Sequence, residues 1–262
     1  MAEKKIAEDF LDILRAERRD ILNRIRETKL STLKEGYSHT QVIPHATYSP
    51  WLDDQKFMKV YSIIRAYTLV DIYRCYELFT LASQMKPIGG DIVEVGVWRG
   101  GTAALVASVL PERNVCLFDT FCGVVKADLG RDTLYKGGEH SDADEQTVRK
   151  LFDRLGLKCK IFKGIFPEDS RCGLPDQISM AHIDVDTYLS AKDSFRAIWS
   201  RMSVGGAVVF DDYGFFGCEG VTQAVNEIRA AAEDAFFIHN LNGHGLIFKY
   251  RAQKISCGCP AN

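Results

Sequence analysis

Residues 91–103 read DIVEVGVWRGGTA. A short β-branched run enters a glycine-rich turn, and the apolar stretch TAALVASVL (102–110) follows at helical length. Strand, glycine turn and helix open a β/α alternation that continues downstream. VCLFDT (115–120) reads as a second strand, DEQTVRKLFDRLGL (144–157) as a helix and CKIFKGI (159–165) as a third strand. SMAHIDV (179–185) is the fourth strand, YLSAKDSFRAIWSRM (188–202) a helix, GAVVFDD (206–212) the fifth strand and GVTQAVNEIRAAAE (220–233) a helix. FFIHNL (236–241) and HGLIFKY (244–250) flank Asn242-Gly243, a tight-hairpin signal that makes the last strand antiparallel to its neighbour. The pattern predicts an α/β fold with a doubly wound, Rossmann-like sheet, mostly parallel and closed by that C-terminal hairpin strand.

Upstream the periodicity is helical. Residues 1–30 carry Ile6, Phe10, Ile13, Leu14, Ile21 and Ile25 between charges, an amphipathic helix with one apolar face. Residues 30–50, containing VIPHATYSP, lack periodicity and read as a loop or lid. KFMKVYSIIRAYTLVDIYRCYELFTLASQM (56–85) reads as helical and is stopped by Pro87, Gly89 and Gly90. The expected division is a helical N-terminal extension and lid over 1–88, a catalytic domain over 89–252 and a tail over 253–262.

Bulk properties narrow the function. The chain has 262 residues, 46% hydrophobic and 26% charged, enough for a full core. A formal charge of −2 gives no electrostatic reason to expect nucleic acid. No apolar run reaches the roughly 18–20 residues of a membrane span, and the charged N-terminus lacks a signal-peptide core. A cytoplasmic location is expected. Eight cysteines without a C-x₂-C pair read as reduced thiols, and no structural disulfide is expected.

In open parallel sheets, ligands bind beyond the carboxyl ends of the strands. The first strand ends in Glu94, Gly96, Gly100 and Gly101, the second at Asp119, the fourth at Asp184 and Asp186, and the fifth at Asp211 and Asp212. The loop spacing is E-x-G-x-x-x-G-G rather than the dinucleotide pattern G-x-G-x-x-G, and Glu94 suits a cationic ligand better than a pyrophosphate. Asp119 stands where an acid accepts hydrogen bonds from ribose hydroxyls. An adenosine with a positively charged tail, the form of S-adenosylmethionine, fits both features. Up to four carboxylates from the fourth and fifth strands gather near one spot, with Asp184 and Asp186 on one face if the chain stays extended. Oxygen-only donors select a hard divalent ion, Mg²⁺ first. His182 reads as a core residue beside that strand rather than a ligand.

The stretches DIVEVGVWRGGTA, LFDTFCGV, MAHIDVDTYLSAKDSF, GGAVVFDDYGF and GVTQAVNEIRA resemble the TylF/MycF family, the macrocin-type sugar O-methyltransferases of antibiotic biosynthesis. The resemblance runs over roughly residues 48–250. It departs at DTFCGVVKAD, where the family more often has an acidic residue and a proline around the glycine. The resemblance implies a class I methyltransferase fold, S-adenosylmethionine bound by Glu94, Gly96, Val97, Trp98, Arg99, Gly100, Thr102, Asp119 and Asp184, and Mg²⁺ held by Asp184, Asp211 and Asp212. Asp186 would be the general base, though Asp184 and Asp186 could exchange roles. The implied acceptor is a small glycoside with vicinal hydroxyls, methylated on a sugar oxygen, and a homo-oligomer is expected.

His140, in the loop KGGEHSD, is a further catalytic candidate, and Glu139, Tyr48, Trp51 and Tyr213 are candidates to face the acceptor. The runner-up activity is metal-dependent methylation of a small catechol-type acceptor. A nicotinamide oxidoreductase is disfavoured by the missing second glycine, and a non-catalytic binding protein by the full set of strand-end aspartates.

Overall fold

The computed structural model describes residues 2–27 and 49–252, with side chains from Asp12 to Arg24 in the first segment. The tail from residue 253, with Cys257 and Cys259, lies outside the described residues, as does all but the end of the expected 30–50 loop. Two compact units divide between Pro50 and Trp51. In the first, helix α1 (Ala2–Glu27) forms over the expected span and leaves Ile13, Leu14 and Ile21 exposed.

The second unit begins with helices α2 (Gln55–Ile64) and α3 (Ile72–Gln84). The sequence pattern reads as unbroken from 56 to 85, but the chain breaks over 65–71. Thr68 Oγ1 accepts from Val70 N at 3.0 Å, a local turn that competes with the helix. Asp71 then starts α3 afresh, its carboxylate accepting from the amides of Tyr73 and Arg74. The break places Tyr67 O 2.9 Å from Gly101 N, so these seven residues lie against the glycine turn.

The strands are β1 (Asp91–Val95), β2 (Val115–Asp119), β3 (Lys160–Lys163), β4 (Ile178–Ile183), β5 (Met202–Phe210), β6 (Ala235–His239) and β7 (Gly245–Lys249). They form one seven-stranded sheet in the order β3-β2-β1-β4-β5-β7-β6. The first five are parallel, and β7 runs antiparallel to both β5 and β6. The fifth strand starts four residues before the expected Gly206, with a register shift against β4.

Alternation along the strands separates two apolar layers. Ile92, Leu117, Met180, Val209 and Leu246 point toward α2, α3, α4 (Gly101–Val109) and α5 (Glu145–Leu155). Val93, Phe118, Ile183, Phe210 and Ile247 point toward α6 (Tyr188–Trp199) and α7 (Glu219–Ala231). Burying each large side chain of these layers is worth about 1.5–3 kcal/mol. Helix α4 is apolar on every side and buried from Gly101 to Ala107, which suits a helix enclosed between the sheet and three others. All six cysteines among the described residues are free. No described helix is long and apolar enough to cross a membrane.

Candidate active site

The strand order reverses direction of travel at β1, between β2 and β4, and a cavity of about 340 Å³ opens there. Its floor is the turn after β1. Gly96 takes φ +82° and Gly100, at the head of α4, φ +84°, both left-handed conformations that glycine adopts without strain. A Cβ on Gly96 would sit 1.6 Å from Asp184 O, so only glycine lets the β1 turn pass the end of β4.

Asp119 faces the same turn. Its Oδ2 accepts from Val97 N at 2.6 Å and Trp98 N at 2.9 Å, and its Oδ1 from Phe121 N at 2.6 Å. The carboxylate expected to receive a ribose holds the loop in shape through these amides. Glu94 lies behind the loop at 1% exposure, its oxygens 2.9 Å from Thr102 Oγ1 and 3.3 Å from His182 Nδ1. Trp98 lines the cavity and donates from Nε1 to Asp142, and Arg99 turns away from it to the same Asp142 carboxylate at 2.7 Å.

The acidic group does converge. Asp184, Asp186, Asp211 and Asp212 all line the cavity. Carboxylate oxygens of Asp184, Asp211 and Asp212 lie within 4.8 Å of one another. The chain does not stay extended between Asp184 and Asp186. Asp186 adopts φ +62°, and Thr187 N returns to Val185 O at 2.7 Å. That turn, not strand alternation, swings Asp186 toward Asp212.

Sequence reasoning missed the cation in this cluster. Arg74 of α3 is buried, with Nη1 2.7 Å from Asp211 Oδ2 and 3.1 Å from Asp212 Oδ1, and Nε 3.0 Å from Asp71. A lone arginine in an amphipathic helix carries no sequence signal for such a role. Against the penalty of burial, Asp211 and Asp212 hold the guanidinium firmly charged. Burial also opposes ionisation of Asp211, but His244 and Arg74 beside it keep its carboxyl below the ordinary range. Asp184 and Asp212 are raised, by burial first and by neighbouring acids second. Asp186 is pushed to about 8 by burial and by Asp212.

One guanidinium thus faces four carboxylates, and two of the four resist ionisation most strongly. The oxygen donors and the surplus negative charge fit a hard divalent cation held by Asp184, Asp211 and Asp212.

Tyr135, also missed, lines the cavity with Asp186, and its hydroxyl stands 3.3 Å from His140 Nε2. The carboxylate of Glu139 is spent on the amides of Lys136 and Gly137. Trp51 and Tyr213 are buried in packing, Trp51 edge-on to Tyr73 and Tyr213 bonded to Asn226. Tyr48 lies outside the described residues.

A sheet of this order, with a glycine turn after β1 and an acid closing β2, defines a class I S-adenosylmethionine-dependent methyltransferase. The family described as macrocin-O-methyltransferase (TylF) matches residues 54–249, and the chain belongs to it as an O-methyltransferase. It is 30% identical over 213 residues to the 8-demethyl-8-(2,3-dimethoxy-alpha-L-rhamnosyl)-tetracenomycin-C 4'-O-methyltransferase of Streptomyces olivaceus, covering 75% of this chain and 80% of that one. Identity to the demethyldecarbamoylnovobiocin O-methyltransferase of Streptomyces niveus is 27% over 202 residues, covering 70% and 76% of the two chains. The solved O-methyltransferase NovP superposes with a TM-score of 0.61 at 26% identity, covering 71% of this chain and 83% of its own.

Proposed function

We propose that the chain methylates a sugar hydroxyl of a glycosylated small molecule in antibiotic biosynthesis, in the cytoplasm, with Mg²⁺ held by Asp184, Asp211 and Asp212. The observation that carries the reading is the meeting of four strand-end carboxylates beside the glycine turn, faced by the Arg74 guanidinium and, behind Asp211, by His244. The rhamnosyl group in the name of the Streptomyces olivaceus relative supports a glycoside acceptor.

S-Adenosylmethionine supplies a methyl group already activated as a sulfonium, and Mg²⁺ supplies positive charge where an alkoxide develops. The chain's own work is to orient and to move a proton. Gly96, Val97, Trp98 and Asp119 seat the cofactor, with Thr102 and Glu94 bracing the turn from behind. Holding hydroxyl, methyl and sulfur in line is worth up to about 7–11 kcal/mol. Asp186 takes the hydroxyl proton, its carboxylate brought beside Asp212 by the left-handed turn at residue 186. Tyr135, which lines the cavity with Asp186, and the exposed His140 bonded to it give that proton a way out. Asp184, Asp211 and Asp212 would supply three oxygen donors to such an ion and would leave it free to take acceptor oxygens as well, which favours a vicinal diol. The exposed apolar face of α1 is where a second copy would pack.

The test is calorimetric titration of S-adenosylmethionine, then of Mg²⁺ with and without a vicinal-diol glycoside, in wild type and Asp211→Asn. The variant should bind cofactor within about threefold of wild type while methyl transfer falls roughly 10³-fold or more, the loss of several kcal/mol of metal stabilisation. Undiminished turnover in the variant removes the metal reading, and preference for a catechol over the glycoside moves the acceptor class.

A further inference from the structure

On the face of the sheet that packs against α3, the apolar rows end in polar residues on four adjacent strands. Glu94 on β1, His182 on β4, Asp211 after β5 and His244 before β7 continue the rows of Ile92, Met180, Val209 and Leu246. The two histidines and Asp211 are 0–3% exposed. Their ligand atoms lie within 4.8 Å of one another.

Three atoms of this group have no hydrogen-bond partner: His182 Nε2, His244 Nε2 and Asp211 Oδ1. His244 Nε2 and Asp211 Oδ1 lie 2.9 Å apart and pair as ions when the imidazole is protonated, whereas His182 Nε2 has no partner. Buried polar atoms in native proteins are overwhelmingly satisfied, so the orphaned Nε2 of His182, set beside a second imidazole and a carboxylate, calls for an occupant. The outer nitrogens are already anchored by carboxylates. His182 Nδ1 is 3.3 Å from Glu94 Oε2, and His244 Nδ1 is 2.5 Å from Glu77 Oε2, itself held by Asn242 Nδ2 at 2.9 Å. A carboxylate on the far nitrogen fixes an imidazole's tautomer and aims its other nitrogen inward, which is how metal-ligating histidines are held.

We propose that His182, His244 and Asp211 form a buried transition-metal site, with Zn²⁺ as its ion. Two imidazole nitrogens and one carboxylate oxygen suit zinc, and nitrogen donors exclude Mg²⁺. Zinc bonds of about 2.0–2.1 Å bring ligand atoms to roughly 3.3 Å apart, so the triangle closes by no more than about 1.5 Å. The ion bonds Oδ1 of Asp211 while Oδ2 faces Arg74 and the cavity. It therefore ties β4, β5 and β7 together and fixes Asp211 from behind.

The experiment uses the full chain with Cys257→Ser and Cys259→Ser, which removes the C-x-C thiolates, stripped of metal and titrated with Co²⁺ in saturating Mg²⁺. One Co²⁺ per chain is expected, with visible d–d bands, no thiolate-to-cobalt band, and displacement by Zn²⁺. His182→Gln and His244→Gln should each weaken uptake at least about 100-fold, and Glu77→Gln by 10–100-fold as an outer partner. Asp184→Asn should leave uptake unchanged. Circular dichroism establishes that each variant is folded, and Glu77→Gln keeps every ligand in case a histidine variant does not fold. Absence of stoichiometric Co²⁺ binding, or binding undiminished in folded His182→Gln, overturns the site. Failure of methyl transfer with Co²⁺ binding intact would fault the proposed function instead.

Discussion

Gly96→Ala tests how the cofactor turn and the acidic site are joined. The new methyl would sit 1.6 Å from the carbonyl oxygen of Asp184, and real Cβ atoms essentially never come closer than 3.0 Å, so one of them retreats by at least 1.4 Å. Gly96 N is bonded to Phe118 O at 2.9 Å and Asp184 N to Val95 O at 2.9 Å, so neither side is free to move. Alanine at φ +82° adds about 1–2 kcal/mol of left-handed strain, and overpacking a filled site about 1–3 kcal/mol. The expected destabilisation is therefore about 2–5 kcal/mol. Because a retreat of more than 1 Å disturbs either the cofactor turn at Gly96 or the acidic site at Asp184, methyl transfer should fall by roughly 10²-fold even where the variant is folded. Urea unfolding followed by tryptophan fluorescence gives the first quantity, and single-turnover methyl transfer gives the second. A destabilisation below about 0.5 kcal/mol, which is typical of an unconstrained surface position, would refute the packing of this turn on the end of β4.

Arg74→Met leaves Asp211 and Asp212 without their cation and should lower the stability of metal-free protein by about 3–5 kcal/mol, a loss that Mg²⁺ largely reverses in thermal unfolding. Equal melting with and without Mg²⁺ would show that the acids need neither. Asp186 has a folded pKa near 8, raised above an unfolded value of about 3.9, so its ionisation destabilises the fold as pH climbs through that window. Asp186→Asn should accordingly gain stability relative to metal-free wild type between about pH 5 and pH 8, and a pH-independent difference would contradict the shift. Asp119→Asn turns an amide toward backbone N–H groups that now meet a carboxylate, and should weaken S-adenosylmethionine binding by about 10–100-fold in calorimetry.

The strands and the acids at their ends were legible because both are local. Alternation placed β1, β2, β4 and β5 within a few residues, and a charge that ends an apolar run is visible without knowing its neighbours. What escaped was set by partners distant in sequence. Nothing near Arg74 announces a bond to residues 137 or 138 positions away, and His244 meets Glu77 across 167 positions. The helix break at 65–71 was hidden because apolar spacing runs through it, while a threonine turn and the Asp71 cap decide it. Asp186 reached the expected neighbourhood by a left-handed turn that alternation does not encode.

The position of β7 between β5 and β6 has a consequence for the order in which the protein is made. Synthesis runs from the N-terminus, and domains begin to fold as they emerge. By residue 240 the glycine turn, Asp119 and all four rim aspartates exist, so the cofactor half of the cleft can assemble. Strand β5 is then still an open edge, its Val208-Val209-Phe210 run lacking its β7 neighbour, the kind of surface on which unfinished chains stick to one another. Only the closing hairpin seals that edge and brings His244 to Asp211. Ribosome-stalled chains ending at residue 240 should be readily cleaved by protease around β5, and chains ending at residue 252 should resist. The residues proposed to perform the chemistry are thus present before the strand that holds them still.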